Sequence, residues 1–461
     1  MEIKEKKVDK ILIIFLAIHL FVWTAIPSIS NVNLPLDTIE ALAWASNIDW
    51  GYNKHPPLSA WSVEIFYKIF GNQDWAFYFL SQIFVCSAFF IVFKFSEDFF
   101  KSKVMSLISI LLLEGIFFYN FTTPEFNVNI CQLPFWALTV YYLWQGIKTN
   151  DNLSWLLFGV FAGLGILSKY LFIYLLIAID IFFIYLIIYR KFNPKILISL
   201  ISFFIIISFH IIWLVDNNYT TITYALSRTG MEELNILEAH LFQPFIFLFK
   251  QIGILIPFFL MIFFLISKFN TKINFKDKKL IFLFSINILP IILIFFTSLL
   301  MGIKIRTMWM TPFYLFIGVL FLYIFQKKIN LKKIKNFVYL FIILFIFSPS
   351  AYFYISITED QKRTDYQGKE ISKIVQKKWN ENFVNKIGLV GGDEWHGGNL
   401  SYHLNSRPKW DNIFESKKNI SPENTNDGFV LIGDPNILFK ICNGFFFKVQ
   451  KQGVCMIGKK Q

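Results

Sequence analysis

Apolar runs of fifteen to twenty residues recur along the chain, separated by short polar connections. They fall at 11–29, 75–93, 104–121, 128–147, 154–168, 170–189, 196–215, 251–267, 280–300, 308–326 and 337–355. A helix rises about 1.5 Å per residue, so runs of this length match a hydrocarbon core of about 30 Å. The pattern predicts a polytopic α-helical membrane protein with about 11–13 transmembrane helices. The sixth run follows the fifth almost directly, which makes Ser168-Lys169-Tyr170 a tight corner at the membrane face. His240 to Lys250 reads as an interfacial segment before the eighth run. Beyond residue 355 the pattern changes. Short apolar strings, KIGLVGG, GFVLIGD and GFFFKVQ, alternate with Asn, Pro and Gly and read as strands. With Tyr366 to Asn380 as a helix, they predict a small α/β domain over 356–461, after a membrane domain over 1–355 whose first external loop is 30–74.

Charge orients the bundle. With the N-terminus in the cytoplasm, internal segments hold Lys4, Lys6, Lys7, Lys10, Lys94, Lys101, Lys103, Lys148, Arg190, Lys191 and Lys195. Further internal cations cluster at Lys268, Lys272, Lys276, Lys278, Lys279, Lys327, Lys328, Lys332, Lys333 and Lys335. External connections before residue 356 hold Lys54, Lys68, Lys169, Arg228, Lys250, Lys304 and Arg306, giving an asymmetry of about threefold. An odd number of spans then puts the tail outside. Each external cation runs against this bias, and several lie beside membrane-embedded segments, where an unpaired charge is expensive. They are suited to meet an anion.

Composition agrees with a membrane class: 55% of the residues are hydrophobic and 57 are Phe, with mean hydropathy +0.52. The formal charge of +13 is therefore weak evidence for nucleic acid. Met1 to Lys10 is basic, but no small-residue cleavage pattern follows, so 11–29 reads as a first span and not a signal peptide. Four cysteines are too few for a disulfide framework. Cys86 and Cys131 read as buried small hydrophobes. Cys442 and Cys455 flank a hairpin, NGFFFKVQKQGV, and can pair if that end faces an oxidising compartment.

Chemistry concentrates in NLPLDTIEALAWASNIDWGYNKHPPLSA, residues 33–60. Pro35 suits a helix entry and Asp37 its first turn. Glu40 lies three residues on, so the two carboxylates share a face. Lys54-His55 then precedes Pro56-Pro57, which forbids a helix there. A solvated loop is the plain alternative. TTPEFNVN brings Glu125 and Asn127 to the same face, where Glu125 serves either as a helix cap or as part of a site. GLGILSKY adds Lys169, either snorkelling or functional. GIKIRTMW adds Lys304, Arg306 and an interfacial Trp309; Arg306 can meet lipid headgroups or one particular phosphate. Asp216, Arg228 and His240 are weaker candidates. GDEWHGGNLSYHLNSRP in the tail reads as structural or acceptor-guiding. Carboxylates suit a general base and external cations suit a lipid-linked phosphate whose tail stays in the bilayer. No GxxxxGK[ST] or GxGxxG junction is present, in keeping with a donor other than a nucleotide.

In order, these stretches resemble the GT-C integral-membrane glycosyltransferases, specifically the ArnT and bacterial protein O-mannosyltransferase-like family. The matching residues are Asp37, Glu40-Ala41, Trp44 and Tyr52 to Leu58, then TTPEFNVN with Glu125 where Asp is usual. GLGILSKY, HIIWLVDNN with Asp216 and Asn217 off register, and GIKIRTMWMTPFY follow. The resemblance spans roughly residues 10 to 330 and implies inverting transfer of a sugar from a polyprenyl phosphate at the outer face. It assigns Asp37, Glu40 and Glu125 to catalysis, and Lys54, His55, Lys169 and Arg306 to donor or acceptor phosphate. Tyr52, Asn127 and Arg228 become candidate acceptor-binding residues. No metal and no cofactor are expected.

The sequence therefore reads as a polyprenyl (undecaprenyl) phosphate-dependent glycosyltransferase acting on lipid A or a related envelope lipid. It would sit in a bacterial inner membrane with the tail periplasmic. Lipid A is preferred because the external cations can meet its phosphates. Protein O-glycosylation is the alternative acceptor reading. A lipid flippase or transporter is the alternative class, although no internal repeat is visible.

Overall fold

The computed structural model describes residues 5–189, 193–228, 235–268, 270, 273–412 and 427–461. Of the cations used to orient the chain, Lys4, Arg190, Lys191 and Lys272 lie outside these residues. The first four helices are α1 (Glu5–Ser30), α2 (Leu36–Ala45), α3 (Leu58–Phe70) and α4 (Asp74–Ser96). α1 and α4 are membrane-length, and they pack along one another. The two short helices between them form the long loop that the sequence reads as external. Pro35 is extended and hands the chain to α2 with Asp37 in the first turn, as expected. The two prolines Pro56-Pro57 lead directly into α3.

Among the described residues, six helices are long and apolar enough to cross a bilayer: Lys7–Ser30, Asp74–Ser96, Tyr170–Ile188, Ile196–Asp216, Lys278–Met301 and Leu331–Thr358. Counting two bent pairs as spans raises the number to eight. Four of the expected runs are not continuous helices. The 104–121 run is helical over Lys103–Leu111 and then tightens into 3-10 turns, where the Asn120 side chain takes the Glu114 carbonyl at 2.9 Å. The 128–147 run breaks at Gln132, just before Pro134. The 251–267 run bends by 43° next to Pro257, and the 308–326 run bends by 52° after a 3-10 segment holding Pro312. Proline removes a backbone donor and crowds the preceding turn, which fits the breaks near Pro134, Pro257 and Pro312, whereas Pro27, Pro290 and Pro349 lie inside continuous helices.

Close packing in the bundle depends on small residues. Helix Leu133–Thr149 ends at Asn150, which is left-handed (φ 57°), and Asp151 caps the next helix through the Ser154 amide at 2.7 Å. That helix, Asn152–Ser168, crosses Ile196–Asp216 at Gly159 and Gly163. A side chain at Gly159 would lie 2.0 Å from the Ser199 carbonyl oxygen. This four-residue spacing of glycines lets two membrane helices approach backbone to backbone.

The tail forms a five-stranded sheet in the order β2-β1-β3-β5-β4. Its strands are β1 (Ile387–Gly391), β2 (Lys409–Asp411), β3 (Gly428–Gly433), β4 (Phe445–Val449) and β5 (Gln452–Ile457). β1 runs parallel to β2 and β3, while β5 is antiparallel to β3 and β4. The expected strands, hairpin and helix (here Gly368–Asn382) are all present, and Cys442 is bonded to Cys455. Cys86 and Cys131 are buried and free.

The sheet region docks on the first external loop. Helix His396–His403 lies on α2, with Gly398 against Ile39 and Ala43. Arg407 donates to the Leu42 carbonyl at 2.6 Å and pairs with Glu64 at 3.3 Å. Trp410 donates its backbone N–H to Ser46 at 2.7 Å, and Tyr402 donates its hydroxyl to Asp74 at 2.7 Å.

A Gly159→Val substitution places a branched side chain into the Ser199 backbone. Overpacking of this kind costs about 1–3 kcal/mol, so the thermal midpoint in detergent should fall by about 2–8 °C. An unchanged midpoint would show that the two helices can separate at no cost.

Candidate active site

The site is built on α2. Glu125 accepts a hydrogen bond from the Asp37 backbone N–H at 3.0 Å, so it caps α2 from the neighbouring connection. Thr38 ties the same turn down by donating to the Phe126 carbonyl at 3.0 Å. The two readings of Glu125 thus merge: it is a cap, though not of its own helix, and it lies against Asp37. Asn127 caps the next short helix, accepting from the Asn129 and Ile130 amides at 2.9 and 3.2 Å.

Asp37, Glu40, Ala41, Trp44, His55, Ser59, Asn127 and Val128 line a narrow cavity of about 10 Å³, room for about one water. Lys54 is tied to it through Glu40. Its ammonium lies 3.0 Å from Glu40 and 3.0 Å from Glu394 of the tail, and 5.9 Å from the Tyr224 ring centre. Lys169 is only 6% exposed; it donates to Asn129 at 2.5 Å and sits over the Trp309 ring. Trp309 is therefore also a partner of the site lysine, alongside its expected interfacial place.

Burial raises Asp37 above the ordinary carboxylate value, while Lys169, Lys54, Arg228 and Arg306 oppose that rise. Glu125 is raised by burial first and by the Asp37 charge second. Two adjoining carboxyls cannot both ionise cheaply. The cations face Asp37, so Asp37 carries the charge and Glu125 keeps the proton. Burial alone would depress Lys54, but Glu40 and Glu394 outweigh it and hold Lys54 above its usual value. Burial pushes Lys169 down to about 7. His55 is pushed down to about 3 by burial, with Lys169 and Lys54 adding to the shift. A neutral His55 can offer a phosphate one N–H but no charge.

The remaining cations gather separately. Arg228, Lys250, Lys304 and Arg306 line an open groove of about 770 Å³ with Phe117, Phe118 and Met308, and among the described residues no carboxylate lines it. The candidate residues thus divide between a carboxylate cavity and a cationic groove, and Asp37 feels the charge of both. Tyr52 stands apart. Its ring stacks on Trp44, and its hydroxyl turns to the Asn47–Asp49 turn, accepting from the Asp49 amide at 3.2 Å. Asp216 is exposed at the end of its helix, and His240 is spent on the Leu299 carbonyl at 2.9 Å.

Three participants lie inside stretches the sequence singled out, though none was named for its role: Glu394 in GDEWHGGNLSYHLNSRP, Asn129 at the end of TTPEFNVN, and His210 in HIIWLVDNN, which bridges Tyr170 and the Trp50 carbonyl at 2.7 and 2.6 Å.

Residues 54–213, which include Lys54, Glu125 and Lys169, match the family model described as dolichyl-phosphate-mannose-protein mannosyltransferase. No curated protein sequence matches the chain. Among solved structures, the fold is similar to ArnT from Cupriavidus metallidurans bound to undecaprenyl phosphate, with TM-score 0.64, 12% identity, and coverage of 96% of this chain and 97% of that one. The same protein in the apo state gives TM-score 0.61 at 11% identity, covering 97% and 98%. At such identity the structural likeness shows the fold. The family match covers residues 54–213, about a third of the chain, so the comparisons show an ArnT-like fold together with a partial likeness to that mannosyltransferase family. The expected family resemblance and fold class hold.

The site's pH response follows from Lys169. Its charge is lost as pH rises through about 7, so binding of a phosphate-bearing ligand should weaken above neutrality. Lys169→Arg, which stays charged, should move that fall upward in pH. A fall at the same pH in both proteins would exclude Lys169 as its source.

Proposed function

We propose that this protein transfers a sugar from a polyprenyl phosphate, of the undecaprenyl type, to lipid A or a related envelope lipid at the periplasmic face. The observation that carries this reading is a carboxylate cavity beside a groove whose charged groups, among the described residues, are all cations. A lipid phosphate fits the cations, and an acceptor hydroxyl fits Asp37. The solved relative bound to undecaprenyl phosphate supports the donor class.

In the proposed step, Asp37 takes the proton of the acceptor hydroxyl as its oxygen attacks the anomeric carbon. The bond from that carbon to the phosphate oxygen breaks, and its electron pair leaves on the phosphate. Lys54, Lys169 and Arg306 stabilise the departing charge, with His55 offering one N–H. Glu40 fixes Lys54, and protonated Glu125 holds the Asp37 turn. Arg228 and Asn127 lie where an acceptor would be bound. In this reading the N-terminus is cytoplasmic, and residues 356–461 form a periplasmic domain on a multi-pass inner-membrane protein. Transfer to protein hydroxyls is the second reading, favoured by the description of the matching family model.

Mass spectrometry of lipid A and of secreted proteins, from cells with and without the gene and with Asp37→Asn, tests both. A sugar mass lost from lipid A in the deletion and the mutant is the expected result. Loss from proteins alone would select the second reading, and normal product from Asp37→Asn would remove Asp37 as the base. Lys54→Ala and Arg306→Ala should each weaken undecaprenyl phosphate binding by about tenfold or more; unchanged affinity in both would remove the cations as donor ligands.

A further inference from the structure

Lys54 is not waiting free for a phosphate. It is shared at 3.0 Å by two carboxylates, Glu40 from α2 and Glu394 from the tail, with the lysine and both acids largely buried. The two acids are held differently. Glu40 sits in the middle of α2, whose first turn is fixed by Glu125 and Thr38. Glu394 sits in the short turn between β1 and helix His396–His403, with Gly391-Gly392 before it and Gly397-Gly398 after it. Its second oxygen is buried without a partner, so Lys54 is the single hold on this carboxylate. An incoming phosphate would displace the acid with the weaker anchorage.

The charges of donor and product differ. A polyprenyl-phospho-sugar is a phosphodiester with one negative charge. The polyprenyl phosphate left after transfer is a monoester, carrying about −1.5 to −2 at neutral pH. Cations that bind the donor therefore bind the product more strongly, and the site is prone to product inhibition. We propose that Glu394 is a positioning residue for product release: it competes with the lipid phosphate for Lys54 and recaptures the lysine as the product leaves. This rests on the donor-phosphate role given to Lys54 above. It also gives the tail a part in turnover, since the competing anion is delivered by the docked sheet region.

Binding of undecaprenyl phosphate to the full-length protein in nanodiscs, by native mass spectrometry, supplies the test. Glu394→Gln and Glu394→Ala should bind about three- to tenfold more tightly than the wild type, the range set by a partly exposed ion pair. Inhibition of transfer by added undecaprenyl phosphate should strengthen by the same factor. Generic damage to the site would weaken binding, so the sign of the change separates the two. In a Lys54→Ala background the gain should vanish. Weaker or unchanged binding in both Glu394 variants overturns the proposal, as does a gain that persists without Lys54. If Lys54→Ala alone leaves binding unchanged, the donor-phosphate role of Lys54 fails with it, and that result is distinguishable from the others.

Discussion

Burying charge is the constraint on which this structure turns. Four carboxylates, Asp37, Glu40, Glu125 and Glu394, converge at one partly enclosed place, and two ammonium groups, Lys54 and Lys169, stand among them. Ions taken out of water are tolerated only when paired or when one of them gives up its charge. Both remedies are used. Lys54 pairs with two acids at once, while Glu125 keeps its proton beside Asp37. The result is a site that sets one buried carboxylate, raised by burial, in a field of cations that oppose the rise.

The same constraint explains why the bundle and the tail cannot be understood apart. Glu394 reaches Lys54 because helix His396–His403 lies on α2, and Arg407, Trp410 and Tyr402 fix that contact through bonds to Leu42, Ser46 and Asp74. The tail is thus one wall of the chemistry as well as a cover over the loop. In the membrane, by contrast, the fold is set by shape. Gly159 and Gly163 permit close approach, and prolines decide where an apolar run bends.

The split between the carboxylate cavity and the cationic groove gives the fold its directional sense. Lys169 lies buried beside Asn129 and Arg306 lines the groove, yet both act on Asp37. Trp309, stacked over Lys169, marks the border between them.

Much of this was legible in the sequence because it is local. Hydrophobic run length announces a membrane span; Pro35 and Asp37 announce the start of α2; short apolar strings around Cys442 and Cys455 announce a hairpin with a feasible bridge. The clustering of candidate residues at one face followed from counting spans and charges. Glu125 was visible as an acid near a helix start, but not as the cap of a different helix. The stretch holding Glu394 was noticed, but its pairing was hidden, because nothing local distinguishes an acid in a glycine-rich turn from any solvated one; its meaning comes from an ion pair across 340 residues of chain. The interrupted spans were hidden too, since hydropathy sums over a window and ignores a single proline's missing donor. Sequence by itself determined which segments leave water and which residue types guard their ends. Tertiary structure decided which charges meet, because pairing depends on distances of a few ångströms between segments that sequence order leaves far apart.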